Sequence, residues 1–381
     1  QAELSKRLDG LDAQIKQLMQ EKAPLQEQLM VLQNKESAIA EELFRLNKSK
    51  VILQKANFDQ MYQWLLVHQN PRTGLVASFE GDQTLTHWAF TYDQSLAAQA
   101  FVQFSDFERA KKIFDFFARK AKRKEGLFLN AYYATDGSPV EYIVHSGPNI
   151  WVGIAIAQYT RRSQDTRYLR LAEEIAQAIM NLQGKDADEG IRGGPGLTWY
   201  STEHNLDAYA FFDMLYTITA KQKYRDSRDK VLNWLVKHTY DKGDIPIIRG
   251  KGDSTIATDT YAWMIAAVGP KKLEELGMNP EKMMEFAERN CGVEVSYTRP
   301  EGNVIKIKGF DFAAQRHLAR GGVISTEWTA QMILAFKIMA EYYQSKGMDA
   351  KARSIEIKAE DYLFNLCTMI MASPSPSGQG E

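Results

Sequence analysis

The chain has 381 residues, of which 44% are hydrophobic and 25% charged, with 47 Lys plus Arg against 48 Asp plus Glu. That length holds one large domain with an appendage or two ordinary domains, and the composition is that of a globular protein. The formal net charge of -1 argues against a nucleic-acid binder that works through a global basic field, and no apolar run reaches the eighteen or so residues of a membrane span.

The two cysteines, Cys291 and Cys367, form neither a metal-ligand spacing nor a disulfide framework. They read as small buried side chains, with a single bridge as the alternative. A first residue Gln1 rather than Met agrees with removal of a signal or anchor segment or with an engineered start. The expected location is periplasmic or secreted, with the cytoplasm as the alternative.

Residues 1–54 carry a heptad repeat. Leu4, Leu11, Leu18, Leu25, Leu32, Ile39, Leu46 and Leu53 occupy every d position; Leu8, Ile15, Lys22, Leu29, Glu36, Leu43 and Lys50 occupy the a positions. An apolar seam of this length is the strip a partner helix covers, and leucine at d with polar residues at a suits a two-stranded coil. Self-association or pairing with another protein through residues 4–53 is therefore expected; folding back onto the chain's own globular part is the alternative. Pro24 removes one helical hydrogen bond and is expected to kink the coil or to open a second helix.

Residues 55–372 read as one domain of helical pairs, and 373–381, rich in Ser, Pro and Gly, as a disordered tail. Every other helix opens on a polar, aromatic segment. These begin at Thr91, Pro148, Glu203, Thr258 and Thr326, separated by 57, 55, 55 and 68 residues. Asn57-Phe58-Asp59-Gln60 reads as an earlier member. Each opening leads into an apolar, small-residue helix such as Val152–Ala157, followed by a charged amphipathic one: 107–122, 165–182 and 224–238. The alternation predicts a closed all-α ring of hairpins. Residues 128–145, turning at Asp136-Gly137-Ser138-Pro139, and 293–310, turning at 300–303, predict β-hairpins. Gly190–Pro195 reads as a tight loop before Trp199. Long loops at one end of a rigid scaffold are where function usually sits.

This pattern resembles the six-hairpin glycosidase-like superfamily, the (α/α)6 toroids, over roughly residues 55–370. The resemblance implies a toroid acting on carbohydrate, mainly by inverting hydrolysis, with phosphorylases, lyases and epimerases among the relatives. No single family's catalytic motif is matched.

In such a ring the N-terminal ends of the inner helices line one mouth, so Asp93, Glu203, Asp207, Asp259 and Glu327 are expected to converge. Glycoside hydrolysis needs one protonated carboxyl and one ionised one, and burial with like-charge proximity separates the two. The competing explanation is helix capping, since acids favour the first turn regardless of function. The company tips the reading towards sugar: Trp88, Tyr92, Trp151, Trp199, Tyr200, Tyr261, Trp263 and Trp328 lie beside these acids and offer stacking faces. For Trp263 ordinary core packing is preferred. Glu203 is read as general acid and Asp93 as base, with Asp207 and Glu327 as alternates. Trp88, Tyr92, Trp151, Trp199, His204, Asp259 and Trp328 are read as substrate-binding. Two facing histidines among His145, His204 and His317 would instead suit an epimerase. No metal-ligand spacing, phosphate-cradling glycine loop or Gly-x-Ser-x-Gly elbow occurs, so no cofactor is expected. The expected function is a glycoside hydrolase tethered or oligomerised by its coil. The alternatives are a non-catalytic glycan-binding scaffold and a sugar epimerase or polysaccharide lyase.

Overall fold

The computed structural model describes residues 2–55, 58–240, 243–298 and 302–369. The chain divides into two compact units, Gln1–Ala56 and Asn57–Glu381. The expected tail, 373–381, and the turn at 300–301 lie outside the described residues.

The first unit is one helix, α1 (Ala2–Lys55), which continues through Pro24. The second helix expected to open at Pro24 therefore does not form. Loss of one N–H donor is a local penalty, and long helical runs on both sides outlast it. Ten seam residues from Leu8 to Leu46 are 52–64% exposed, so the helix by itself leaves an apolar strip uncovered. Leu4, Lys50 and Leu53 lie outside the described side chains.

The second unit is built of paired helices. It begins with α2 (Phe58–His68), which contains no fully buried residue. It is thus an outer element, not the inner one that Phe58-Asp59-Gln60 suggested; Asn57 is outside the described residues. Five pairs follow: α3 (Thr91–Gln103) with α4 (Phe107–Arg119), α5 (Ser146–Ser163) with α6 (Leu169–Gly184), and α7 (Thr202–Thr219) with α8 (Gln222–His238). In the fourth, α9 (Thr258–Trp263) runs into one π-turn, Met264–Val268, before α10 (Pro270–Glu275) and α11 (Pro280–Cys291). The last is α12 (Thr326–Ser345) with α13 (Asp349–Thr368).

The inner helices α3, α5, α7, α9 and α12 each pack on the next. Small residues permit the close approach. At Gly153 of α5, a Cβ would stand 2.3 Å from the Phe211 ring of α7. The outer helices turn an apolar stripe inward, as with Ile113, Phe114, Phe116 and Phe117 of α4. Cys291 and Cys367 are buried and unpaired.

Short strands occupy the linkers. β1 (Trp88–Phe90), β4 (Ala131–Tyr133) and β5 (Pro139–Glu141) form an antiparallel sheet in the order β1-β4-β5, while β2 (Arg123–Lys124) pairs with β3 (Leu127–Phe128). β6 (Gly292–Thr298) and β7 (Val304–Phe310) make the second expected hairpin.

A repeated clamp fixes these linkers over the ring. The first residue of each of four inner helices gives both its N–H and its hydroxyl to consecutive carbonyls of the following linker. Thr91 bonds Leu129 and Asn130, Ser146 bonds Arg192 and Gly193, Thr202 bonds Ile248 and Arg249, and Thr258 bonds Asp311 and Phe312, at 2.5–2.9 Å. Thr326, opening α12, is exposed and has no such partner among the described residues.

A second device holds the preceding segment. The side-chain amides of Gln94, Asn149 and Asn205 each accept from the N–H and donate to the C=O of one linker residue: Val76, Phe128 and Ile191 respectively. Each buried amide stands in for a missing β-partner and satisfies two backbone groups that would otherwise be orphaned.

Candidate functional site

The clamps bring the helix openings and the linkers together around one cleft of about 440 Å³. Nine of the eleven residues singled out from sequence line it: Tyr92, Asp93, Trp151, Glu203, His204, Asp207, Asp259, Glu327 and Trp328. Trp88 and Trp199 do not. Trp88 sits on β1 and packs on Phe90. Trp199 flanks the His145 and His204 rings, with centroids 5.9 and 5.5 Å away. Gly193 makes room for this indole, because a Cβ there would come within 2.3 Å of it. The glycines of the 190–195 loop therefore answer to close packing as well as to turning.

Capping does not account for the acids of α7 and α12. The N-cap of α7 is Ser201, whose hydroxyl accepts from the His204 N–H; that of α12 is Ser325, which accepts from Trp328 N–H. Glu203 and Glu327 are thus free of that duty and face the cleft. Asp207, one turn after Glu203, is buried and accepts from Trp151 Nε1 at 3.0 Å. Tyr92 donates its hydroxyl to Glu327 Oε1 at 2.8 Å. Asp259 is buried, and its Oδ1 accepts from both the N–H and the hydroxyl of Thr260.

Crowding acids out of water changes their proton affinities. Burial, then the neighbouring Asp259, Asp207 and Glu327, pushes the Glu203 carboxyl well above the usual range. Burial also raises Asp207, against the lowering effect of the Trp151 N–H, and raises Asp259, against Thr260 and Arg249. Glu203 and Asp259 act on each other in opposite senses, Asp259 raising Glu203 and Glu203 lowering Asp259. Thr260 donates twice to Asp259 Oδ1 and so favours its charged form, which leaves Glu203 as the carboxyl more inclined to keep its proton. Asp93 is raised by burial, with a Ser78 hydrogen bond opposing. The cleft thus gathers carboxyls whose proton affinities burial and like charge raise to different extents, the circumstance that acid–base chemistry on an acetal exploits.

The linkers add residues not anticipated from sequence, Phe79, Phe90, Asn130, Arg249 and Phe312, and the first turn of α5 adds Gly147 and Pro148. Asn130, Arg249 and Phe312 are the residues whose carbonyls receive the clamping N–H groups. Arg249 lies over the Phe312 ring, 5.2 Å from its centroid. A search for Ser or Thr at each inner-helix opening, paired with the linker one outer helix later, would have pointed to these positions.

Below the acids the ring axis opens into a mainly apolar cavity of about 450 Å³, which shares Tyr92, Trp151, Asp207 and Glu327 with the cleft. Trp263 lines this lower cavity and not the cleft.

No protein-family model matches the chain, and no curated protein is significantly similar to it in sequence. Solved structures share its fold. A sugar epimerase from a ruminal bacterium aligns with TM-score 0.61 at 13% identity, covering 87% of this chain and 92% of that one. Cellobiose 2-epimerase from Bacillus thermoamylovorans aligns with TM-score 0.58 at 12% identity over 87% and 93%. A family 76 glycoside hydrolase (mannosidase) from Bacteroides thetaiotaomicron aligns with TM-score 0.52 at 12% identity over 83% and 96%. The second unit has the α/α-toroid fold of these sugar-processing proteins.

Proposed function

We propose that the toroid hydrolyses glycosidic bonds, with Glu203 as general acid. The observation that carries this reading is the gathering of Glu203, Asp207, Asp259 and Glu327 in one aromatic-lined cleft, where burial and the neighbouring acids raise the Glu203 carboxyl above the usual range. Glu203 donates its proton to the departing glycosidic oxygen, and Asp259 orients it. The opposing role, activating water, falls best to Glu327, which is solvent-exposed and oriented by Tyr92. Asp93, whose carboxyl burial keeps inclined to hold its proton, is the alternate, and Asp207 supports the pair through its bond to Trp151. Trp328, Phe312 and Trp151 supply flat faces for a sugar ring.

A second reading rests on His145 and His204, whose basicity burial lowers in both cases. A neutral imidazole has the free lone pair that proton abstraction needs, and a pair of them would serve a sugar epimerase, although burial takes basicity from both. The two readings separate by product. Incubation with a panel of oligosaccharides, followed by reducing-end counting and chromatography, gives new chain ends under hydrolysis. Under epimerisation it gives an isomer of unchanged length. Binding without either product would favour a glycan-binding scaffold.

For the first unit, we propose that the uncovered leucine seam of α1 pairs with α1 of a second copy in a parallel coil, which would double the toroids presented to a polymeric sugar.

A further inference from the structure

One side chain in the cleft has its hydrogen-bonding state fixed by counting hydrogens. Ser146 opens α5 and is that helix's copy of the repeated clamp. Its Oγ lies 2.8 Å from the Arg192 carbonyl and 2.9 Å from His204 Nδ1. A hydroxyl carries one hydrogen, and a carbonyl can only accept. In α3, α7 and α9 the equivalent threonine hydroxyl donates to the equivalent carbonyl. The Ser146 hydrogen is therefore committed to Arg192, and Oγ must accept from His204. Nδ1 of His204 then carries the ring's hydrogen.

The imidazole is also neutral. Burial, helped by the nearby His145 and Arg249, lowers its pKa to about 3. A neutral ring with hydrogen on Nδ1 has a bare lone pair on Nε2. Nε2 lies against Gly147, where a Cβ would stand 2.5 Å from it and 2.4 Å from Cδ2. Both residues line the cleft, so glycine at 147 leaves the lone pair accessible.

We propose that Ser146 is a positioning residue that locks His204 as the Nδ1–H tautomer, so that Nε2 accepts a hydrogen bond from a hydroxyl of the bound sugar. The cleft's other strong acceptors are carboxyls, which attract cations as readily as hydroxyls. A neutral acceptor favours a hydroxyl without adding charge, and it discriminates against a deoxy sugar because Nε2 would be left desolvated and unpaired. This assignment rests on the reading of the cleft as a sugar site; the tautomer itself does not.

The test is nitrogen NMR of protein labelled at histidine, with the His204 signals identified by their loss in His204→Gln. The expected pattern is one protonated nitrogen at Nδ1 and one bare nitrogen at Nε2, unchanged between about pH 5 and 8. Ser146→Ala should mix the tautomers, and Ser146→Thr, which the other clamps use, should restore the single form. On a sugar that the oligosaccharide panel shows to be turned over, Ser146→Ala should raise KM roughly ten-fold while kcat changes little, the cost of one misdirected hydrogen bond. Hydrogen on Nε2, or titration of the ring in that range, would overturn the lock. A correct tautomer with KM indifferent to Ser146→Ala would overturn the hydroxyl contact. Absence of any turnover would remove the catalytic reading while the NMR result still decides the tautomer.

Discussion

The indole N–H of Trp151, on α5, donates to Asp207 Oδ2 on α7 at 3.0 Å, and both side chains are buried. This bond joins two inner helices and is the principal force keeping the Asp207 proton affinity from rising further. Trp151→Phe keeps a ring in the cleft but removes the donor. The Asp207 pKa should then climb, and kcat/KM should fall about ten-fold, the worth of a hydrogen bond to a charged group. The acid limb of the pH–rate profile should move to higher pH. A profile that does not move would show that Asp207 stays protonated throughout turnover.

The crowded carboxyls make stability depend on pH in a defined direction. Glu203, Asp207 and Asp259 all hold protons more tightly in the folded chain than in the unfolded one. Above the ordinary carboxyl range of about 4, the unfolded chain has released those protons and the folded chain has not, so stability falls as pH rises. Glu203→Gln cannot ionise and should be more resistant to heat than the parent at pH 8, with the difference vanishing near pH 4. Thermal unfolding at the two values measures this. An equal gain at both would mean that packing, not charge, strains the site.

Asn205 tests the linker clamps. Its amide satisfies both backbone groups of Ile191, which is fully buried. Asn205→Ala leaves a buried N–H and C=O unpaired, and should destabilise the toroid by roughly 2–4 kcal/mol. Denaturant unfolding provides the number; a loss below about 0.5 kcal/mol, within the range of an ordinary surface substitution, would mean that the loop stands without the clamp.

The coil is tested by mass. Sedimentation equilibrium of the whole chain should give twice the mass expected from 381 residues. Glutamate at both Leu18 and Leu25 puts charge into the seam and should return the protein to a monomer without altering its toroid. A parent that is already monomeric would contradict pairing through α1.

The inner helices and both hairpins were legible in the sequence because their signals are local. Apolar, small-residue runs after a polar opening mark helices buried on two sides, and Asp136-Gly137-Ser138-Pro139 marks a turn. Convergence of Asp93, Glu203, Asp207, Asp259 and Glu327 followed from the ring geometry that the resemblance implied. Arg249 and Phe312 were not legible, because they reach the cleft through backbone carbonyls held by Thr202 and Thr258, far away in sequence. The exclusion of Trp199 from the cleft depends on Gly193, whose absent side chain lets the indole settle beside His204. The outer position of α2 was missed because Phe58-Asp59-Gln60 imitates an inner opening, while the helix behind it buries no residue fully.

The most direct measurement is the pH–rate profile of the parent and of Glu203→Gln on an oligosaccharide that the parent cleaves, with binding followed separately by tryptophan fluorescence. The proposed role predicts that Glu203→Gln binds as the parent does and loses at least about a hundred-fold in kcat. The parent's rate should fall at high pH as Glu203 gives up its proton, and that limb should be missing from any residual activity. Retained kcat with an unchanged basic limb would contradict Glu203 as the acid and with it the account of the cleft.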